Sequence, residues 1–116
     1  VLVDQRGTGR SNKLSCELGS LNDIVQGFVG GEISLEKMRA CKAELEKHAD
    51  LRLYTTPIAM DDLDEVREWL GYKQINVYGG SYGANAAFVY LQRHPNSVRT
   101  ISLRAISSLN LIDSSR

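Results

Sequence analysis

The chain has 116 residues, with 14 Lys and Arg balanced by 14 Asp and Glu, two His and two Cys. That length holds one domain and excludes two. Zero net charge argues against a nucleic-acid binder, no apolar run approaches the roughly 18 residues of a membrane span, and 42% apolar with 24% charged residues is the composition of a folded chain.

Val1 to Val3 reads as the end of a buried strand. Such an opening has no charged n-region of a signal peptide, and beginning in mid-strand suggests a piece of something longer. Asp4-Gln5-Arg6-Gly7-Thr8-Gly9-Arg10-Ser11 stops the strand and marks a tight loop. Leu21, Ile24, Val25 and Phe28 recur at helical spacing, with Ser20 as a cap and Gly30-Gly31 as the stop. Ser34 is the expected N-cap of a clearer helix. Leu35, Met38, Cys41, Leu45 and Ala49 fall near one face, and charges cover the other, so a surface helix packed on the domain is expected. Leu51 to Tyr54 reads as short and extended.

Thr56 and Pro57 form a strong helix start, Thr56 as N-cap and Pro57 as the first helical residue. Asp61, Asp62 and Asp64 lie early in that helix, where the dipole favours them. Leu63, Val66 and Leu70 make its apolar stripe and Gly71 ends it. Gln74 to Tyr78 is the best strand of the chain. A helix rich in small and apolar residues follows from Tyr82 to about Arg93, and His94-Pro95-Asn96 ends it. Val98, Thr100, Ile101 and Leu103 form a last strand, and the Ser-rich tail over 104–116 has no period. Strands alternating with helices imply a mostly parallel sheet of few strands flanked by helices, with an edge or face left open. The expected organisation is one partial α/β domain: strand and loop over 1–11, a helical insertion over 12–56, a helix–strand–helix–strand unit over 57–103, and the tail.

The informative motif is Gly79-x-Ser81-x-Gly83, lying between that strand and that helix. In this context it predicts a nucleophile elbow: a sharp turn that presents the Ser81 hydroxyl at the carboxyl edge of the sheet. Gly79, Gly80 and Gly83 give the turn its shape, the flanking glycines because a Cβ there would collide with strand or helix. The Tyr82 amide then points where an oxyanion would form. The alternative is a glycine-rich turn that binds phosphate. The loop at residues 4–11 fits neither a dinucleotide fingerprint, which would need glycine in place of Asn12, nor a Walker A loop, since Gly9-Arg10-Ser11 lacks the lysine. A structural role is expected: Asp4 pairs with Arg6 to brace the loop beside the nucleophile, and Gly7 and Gly9 allow its tight backbone. Cys16 and Cys41, 25 positions apart, have no metal-ligand spacing and read either as a disulfide or as two free thiols. No cofactor or metal is expected.

These residues resemble the proline iminopeptidase and tripeptidyl-aminopeptidase group of the α/β-hydrolase fold. The resemblance rests on the pattern DxRGxGxS, the YTT before the Asp-Leu helix, the LGY, and GGSYG, and covers residues 1 to about 103. It implies Ser81 as nucleophile, pairing of Cys16 with Cys41 and, as in many members, secretion. In that group a histidine- and glycine-rich loop, a cap domain, and the triad Asp and His lie outside the segment matched here. Leu103-Arg104-Ala105 stands where the group continues Leu-Asp-Gly.

A serine nucleophile needs a base within hydrogen-bond reach. His94 comes 13 residues after Ser81, roughly 18–20 Å along one helix, and is expected at the helix C-terminus facing the dipole. His48 is the candidate local base. The expected activity is a serine hydrolase acting on small ester or N-terminal peptide substrates. The alternatives are a short-chain carboxylesterase with an incomplete triad and a truncated, non-catalytic module that folds or self-associates through its open sheet edge.

Overall fold

The structure is a computed structural model that describes residues 3–16 and 34–105. It divides into two compact units, Val1–Tyr54 and Thr55–Arg116. The helix expected over 20–28 lies outside the described residues, as do Val1, Leu2 and the tail beyond Ala105. Val3 is irregular, so the first expected strand is not seen among the described residues.

In the first unit the loop over residues 4–11 closes on itself. Gly7 N donates to Ser11 O at 2.7 Å, Ser11 N to Thr8 O at 2.8 Å, and Leu14 N to Gly7 O at 2.9 Å. Helix α1 spans Leu35–Leu45, and Ser34 caps it by accepting from the Lys37 amide at 3.3 Å. None of its residues is fully buried; on the expected apolar face Leu35 and Met38 are exposed, while Cys41, Leu45 and Ala49 are half-buried. Leu51–Leu53 is a single 3₁₀ turn rather than extended chain. The reason is local: Asp50 caps it, accepting from the Arg52 amide at 3.1 Å.

In the second unit helix α2 spans Thr56–Trp69. Its N-cap is Thr55, not Thr56. Thr55 is extended (φ −102°, ψ 155°) and its carbonyl accepts from Ala59 N, which places Pro57 one position further into the first turn. Gly71 follows the C-cap Leu70 at φ +76°, the left-handed stop that the sequence predicts. Strand β1 (Ile75–Gly80) leads through Ser81 into helix α3 (Tyr82–Arg93), and strand β2 (Val98–Arg104) returns parallel to β1. The register runs from Ile75 opposite Val98 to Gly80 opposite Arg104, with an irregularity after Ile75.

The core lies where α2 and α3 pack together over the sheet. Ala59, Met60, Ala86 and Tyr90 form its centre, and Leu63, Ile75, Val77, Val89 and Val98 pack against them. The alanines of α3 are small enough to let its backbone approach the strands. This is a partial α/β fold, and two parallel strands joined through a helix are its positioning element.

Candidate active site

Ser81 is exposed and sits at the turn where β1 ends and α3 begins, with φ 53° and ψ −122°. A non-glycine residue with positive φ is held there against its own preference. Three features hold it. Its amide donates to Arg104 O of β2 at 3.1 Å, extending the ladder by one bond, and its carbonyl accepts from Ala84 N at 2.9 Å, the first bond of α3. The third is close approach: a Cβ on Gly79 would lie 2.2 Å from Gly83 O and 2.6 Å from its carbonyl carbon. Gly79 is therefore required to be glycine. At Gly80 and Gly83 an added Cβ meets nothing within 4 Å, so the collision expected at Gly83 does not occur among the described residues.

Tyr82 is the first residue of α3. An amide at this position has no carbonyl partner within its own helix and lies at the positive end of the dipole. The Tyr82 ring is half exposed, and its hydroxyl lies 3.1 Å from Thr56 Oγ1 at the start of α2.

A second polar cluster lies at the other end of α3. Arg67 grips Asp64 with two bonds, Nε to Oδ1 at 2.7 Å and Nη2 to Oδ2 at 3.0 Å, and the Tyr90 hydroxyl donates to the same carboxylate at 2.7 Å. Tyr90 is fully buried. His94, the C-cap of α3, places Nε2 2.9 Å from Asp61 and Nδ1 3.3 Å from Asp64, while Arg93 forks onto Asp61. Hydrogen bonds from Arg67, and lesser ones from Tyr90 and Ser97, hold the Asp64 carboxyl far below its usual range despite its burial. Bonds from Arg93 and then His94 lower Asp61 to about 2. Burial, reinforced by Asp64, pushes the Tyr90 hydroxyl up to about 12. The three aspartates of α2 were expected to serve the helix dipole, but its first turn holds no acid; Asp61 and Asp64 instead bind cations of their own and the neighbouring helix.

The remaining sequence candidates belong to the first unit. The Asp4 carboxylate accepts from Arg10 N at 2.9 Å, and Arg6 Nη1 donates to Leu53 O at 2.7 Å, so the bonds that brace the loop run to Arg10 and the 3₁₀ turn. Gly7 and Gly9 both have positive φ, and a Cβ on Gly9 would fall 2.2 Å from the Asp4 carboxylate. His48 is solvent-exposed just past α1, 3.7 Å from Glu44. Cys16 and Cys41 form a disulfide with their Cα atoms 5.7 Å apart. Among the described residues, no group of three or more His, Cys, Asp or Glu could hold a metal ion, and no helix is long and apolar enough to cross a membrane.

A strand, a strained serine and a helix, followed by a parallel strand, now stand beside a comparison with known families. The family model of the alpha/beta hydrolase fold matches residues 1–114. The chain belongs to this family. It is 30% identical over 106 residues to a proline iminopeptidase of Neisseria gonorrhoeae, covering 91% of this chain and 23% of that protein. It is 30% identical over 103 residues to a putative hydrolase, YuaR, of Escherichia coli, covering 84% of this chain and 19% of that protein. A proline iminopeptidase of Arabidopsis thaliana is 39% identical over 59 residues, 51% of this chain and 16% of that protein. The chain thus spans about a fifth of the length of these relatives. No solved structure gives a significant match.

Within this member of the alpha/beta hydrolase family, the Asp64–Arg67–Tyr90–His94 cluster is what sequence reasoning missed. A signal was present: Asp64 and Arg67 stand three apart on one helix, the spacing at which side chains of opposite charge meet.

Proposed function

We propose that this chain carries the nucleophile of a serine hydrolase that cleaves ester or N-terminal peptide bonds through an acyl-enzyme on Ser81. The observation that carries the reading is the backbone of Ser81: a non-glycine residue at φ 53°, exposed at a strand-to-helix turn whose tightness forbids a Cβ on Gly79. Left-handed backbone costs an L-residue about 1–2 kcal/mol. Such strain concentrates where function requires an unusual side-chain direction. Membership of the alpha/beta hydrolase family supports the same reading, and the relatives named proline iminopeptidase favour a peptide bond as substrate.

In this mechanism Ser81 Oγ bonds to the acyl carbon as its proton passes to a histidine base. The carbonyl electron pair moves onto oxygen, where the Tyr82 amide donates to it. Collapse expels the amine or alcohol, which takes the proton, and water then releases the acyl group. His94 is not that base: its ring is committed to Asp61 and Asp64 at the far end of the twelve-residue α3, roughly 18 Å away. A histidine other than His94 supplies it. Oxyanion stabilisation and binding alone leave roughly 10³–10⁴-fold catalysis over water, so activated esters are the sensitive substrates.

The test is labelling with a fluorophosphonate probe, comparing the chain with its Ser81→Ala variant, together with p-nitrophenyl acetate turnover. Labelling confined to Ser81 and turnover lost in the variant are expected. Equal turnover by the two proteins would overturn the proposal. Because the chain spans so little of its relatives, a second reading is a non-catalytic hydrolase module; a folded chain without any labelling would select it.

A further inference from the structure

The position after Ser81 is tethered from outside its own helix. Thr55, not Thr56, caps α2, and this leaves the Thr56 hydroxyl to reach across to Tyr82 Oη at 3.1 Å. Thr56 is the first residue of α2 and Tyr82 the first of α3, so the bond joins the leading turns of two helices that pack on each other. The same helices are also joined further along, where Tyr90 and Arg93 in the last turn of α3 bond to Asp64 and Asp61 in the middle of α2. The peptide from Ser81 to Tyr82 enters α3 at the Thr56 contact and begins at a backbone angle that the serine does not favour. Strained backbone persists only where its surroundings over-determine it. A bond from a half-exposed phenol adds little to folding, but it fixes the turn that carries the proposed oxyanion donor.

Resting on the reading of Ser81 as nucleophile, we infer that Thr56 is a positioning residue for the Ser81–Tyr82 turn, acting through its Oγ1 contact with the Tyr82 hydroxyl. Thr56 touches no reacting atom. It restrains the first turn of α3, and its loss lowers the rate of bond formation at Ser81 without changing how substrate is held.

The experiment measures the second-order rate constant for fluorophosphonate labelling of Ser81, with kcat and KM for p-nitrophenyl acetate. The proteins are the wild type, Thr56→Val, Thr56→Ser, Tyr82→Phe and the Thr56→Val/Tyr82→Phe double variant. Loss of one hydrogen bond corresponds to about a two- to tenfold fall in rate. That fall is expected in kcat and in labelling for Thr56→Val and for Tyr82→Phe, with KM unchanged. The double variant should be no slower than either single one, and Thr56→Ser should recover the wild-type rate to within about twofold. Unchanged labelling in Thr56→Val, a fall that Thr56→Ser does not rescue, or multiplicative losses in the double variant would each overturn the inference while leaving Ser81 as nucleophile. A wild-type chain that is not labelled at all removes both.

Discussion

Gly79 and Ala105 show two different backbone constraints, a close approach that glycine meets and a positive φ that a methyl-bearing residue endures. At Gly79 the turn needs the space a Cβ would fill, and the obstacle is the backbone of Gly83 rather than a movable side chain. Gly79→Ala is therefore expected to destabilise the second unit by about 3 kcal/mol or more, because neither β1 nor α3 can retreat without breaking the turn. Urea unfolding checks this, and a midpoint within error of wild type would show that the turn has slack. Ala105 instead keeps a methyl group at φ 53°, where glycine would be at ease. Ala105→Gly should stabilise by about 0.5–1 kcal/mol, the relief of left-handed strain less the added freedom of the unfolded chain. A lowered urea midpoint would count against it. The sequence already flags both places, one as the first glycine of Gly79-x-Ser81-x-Gly83 and the other as a departure from the expected Leu-Asp-Gly. It could not show that Gly79 rather than Gly83 bears the collision, because that depends on where each Cα–Cβ bond points within the turn.

At the scale of elements, α3 was readable almost to the residue, since its small-residue run is bounded by a glycine turn and by His94-Pro95. Helix α2 was readable except for its cap, where two adjacent threonines offer equal chemistry and only the backbone distinguishes them. What ties the two helices together was not readable, because Tyr90 meets Asp64 across 26 positions of sequence. That tie has a definite acid response. The folded-state values of Asp61 and Asp64 are depressed, so their stabilisation is fully present above the usual carboxylate range near pH 4 and is lost as pH falls through the folded values, which for Asp61 means toward about 2. Thermal stability should thus fall steeply between about pH 4 and pH 2, and Asp64→Asn should flatten that fall. An equally steep fall in the variant would place the acid sensitivity elsewhere. At neutral pH, Tyr90→Phe removes a buried hydroxyl bonded to an ionised carboxylate, with an expected cost of about 1.5–3 kcal/mol. Asp64→Ala should cost more, about 3–5 kcal/mol, because it takes from the buried Arg67 its two-bond buried partner and leaves only the exposed Glu68 carboxylate. Denaturant titration should rank the two in that order.

Across the whole molecule, hydrophobic packing is unevenly shared. The core of the second unit collects aliphatic and alanine side chains around Tyr90. In the first unit α1 has 11 residues and buries none of them. An isolated helix shorter than roughly 12–15 residues is marginal in water, and helices in proteins ordinarily depend on a packed face. The Ser34 cap and the salt bridges from Glu44 to Lys47 and from Lys42 to Glu46 are exposed and contribute little. Among the described residues a further tie is covalent: Cys41, half-buried in the middle of α1, is bonded to Cys16 beyond the glycine loop. Closing a loop with a separation of 25 residues is worth about 3.5 kcal/mol on the chain-entropy model. That is a large part of the roughly 5–15 kcal/mol by which a whole domain is ordinarily stable. Composition left the two cysteines open between pairing and freedom, because spacing along a chain does not say which thiols meet in space; here the backbone brings their Cα atoms to 5.7 Å. Reduction with dithiothreitol, or Cys41→Ser, should therefore lower helical circular dichroism and strip hydrogen-exchange protection from the amides of Leu35–Leu45. If those amides stay protected in the reduced chain, packing rather than the disulfide holds α1.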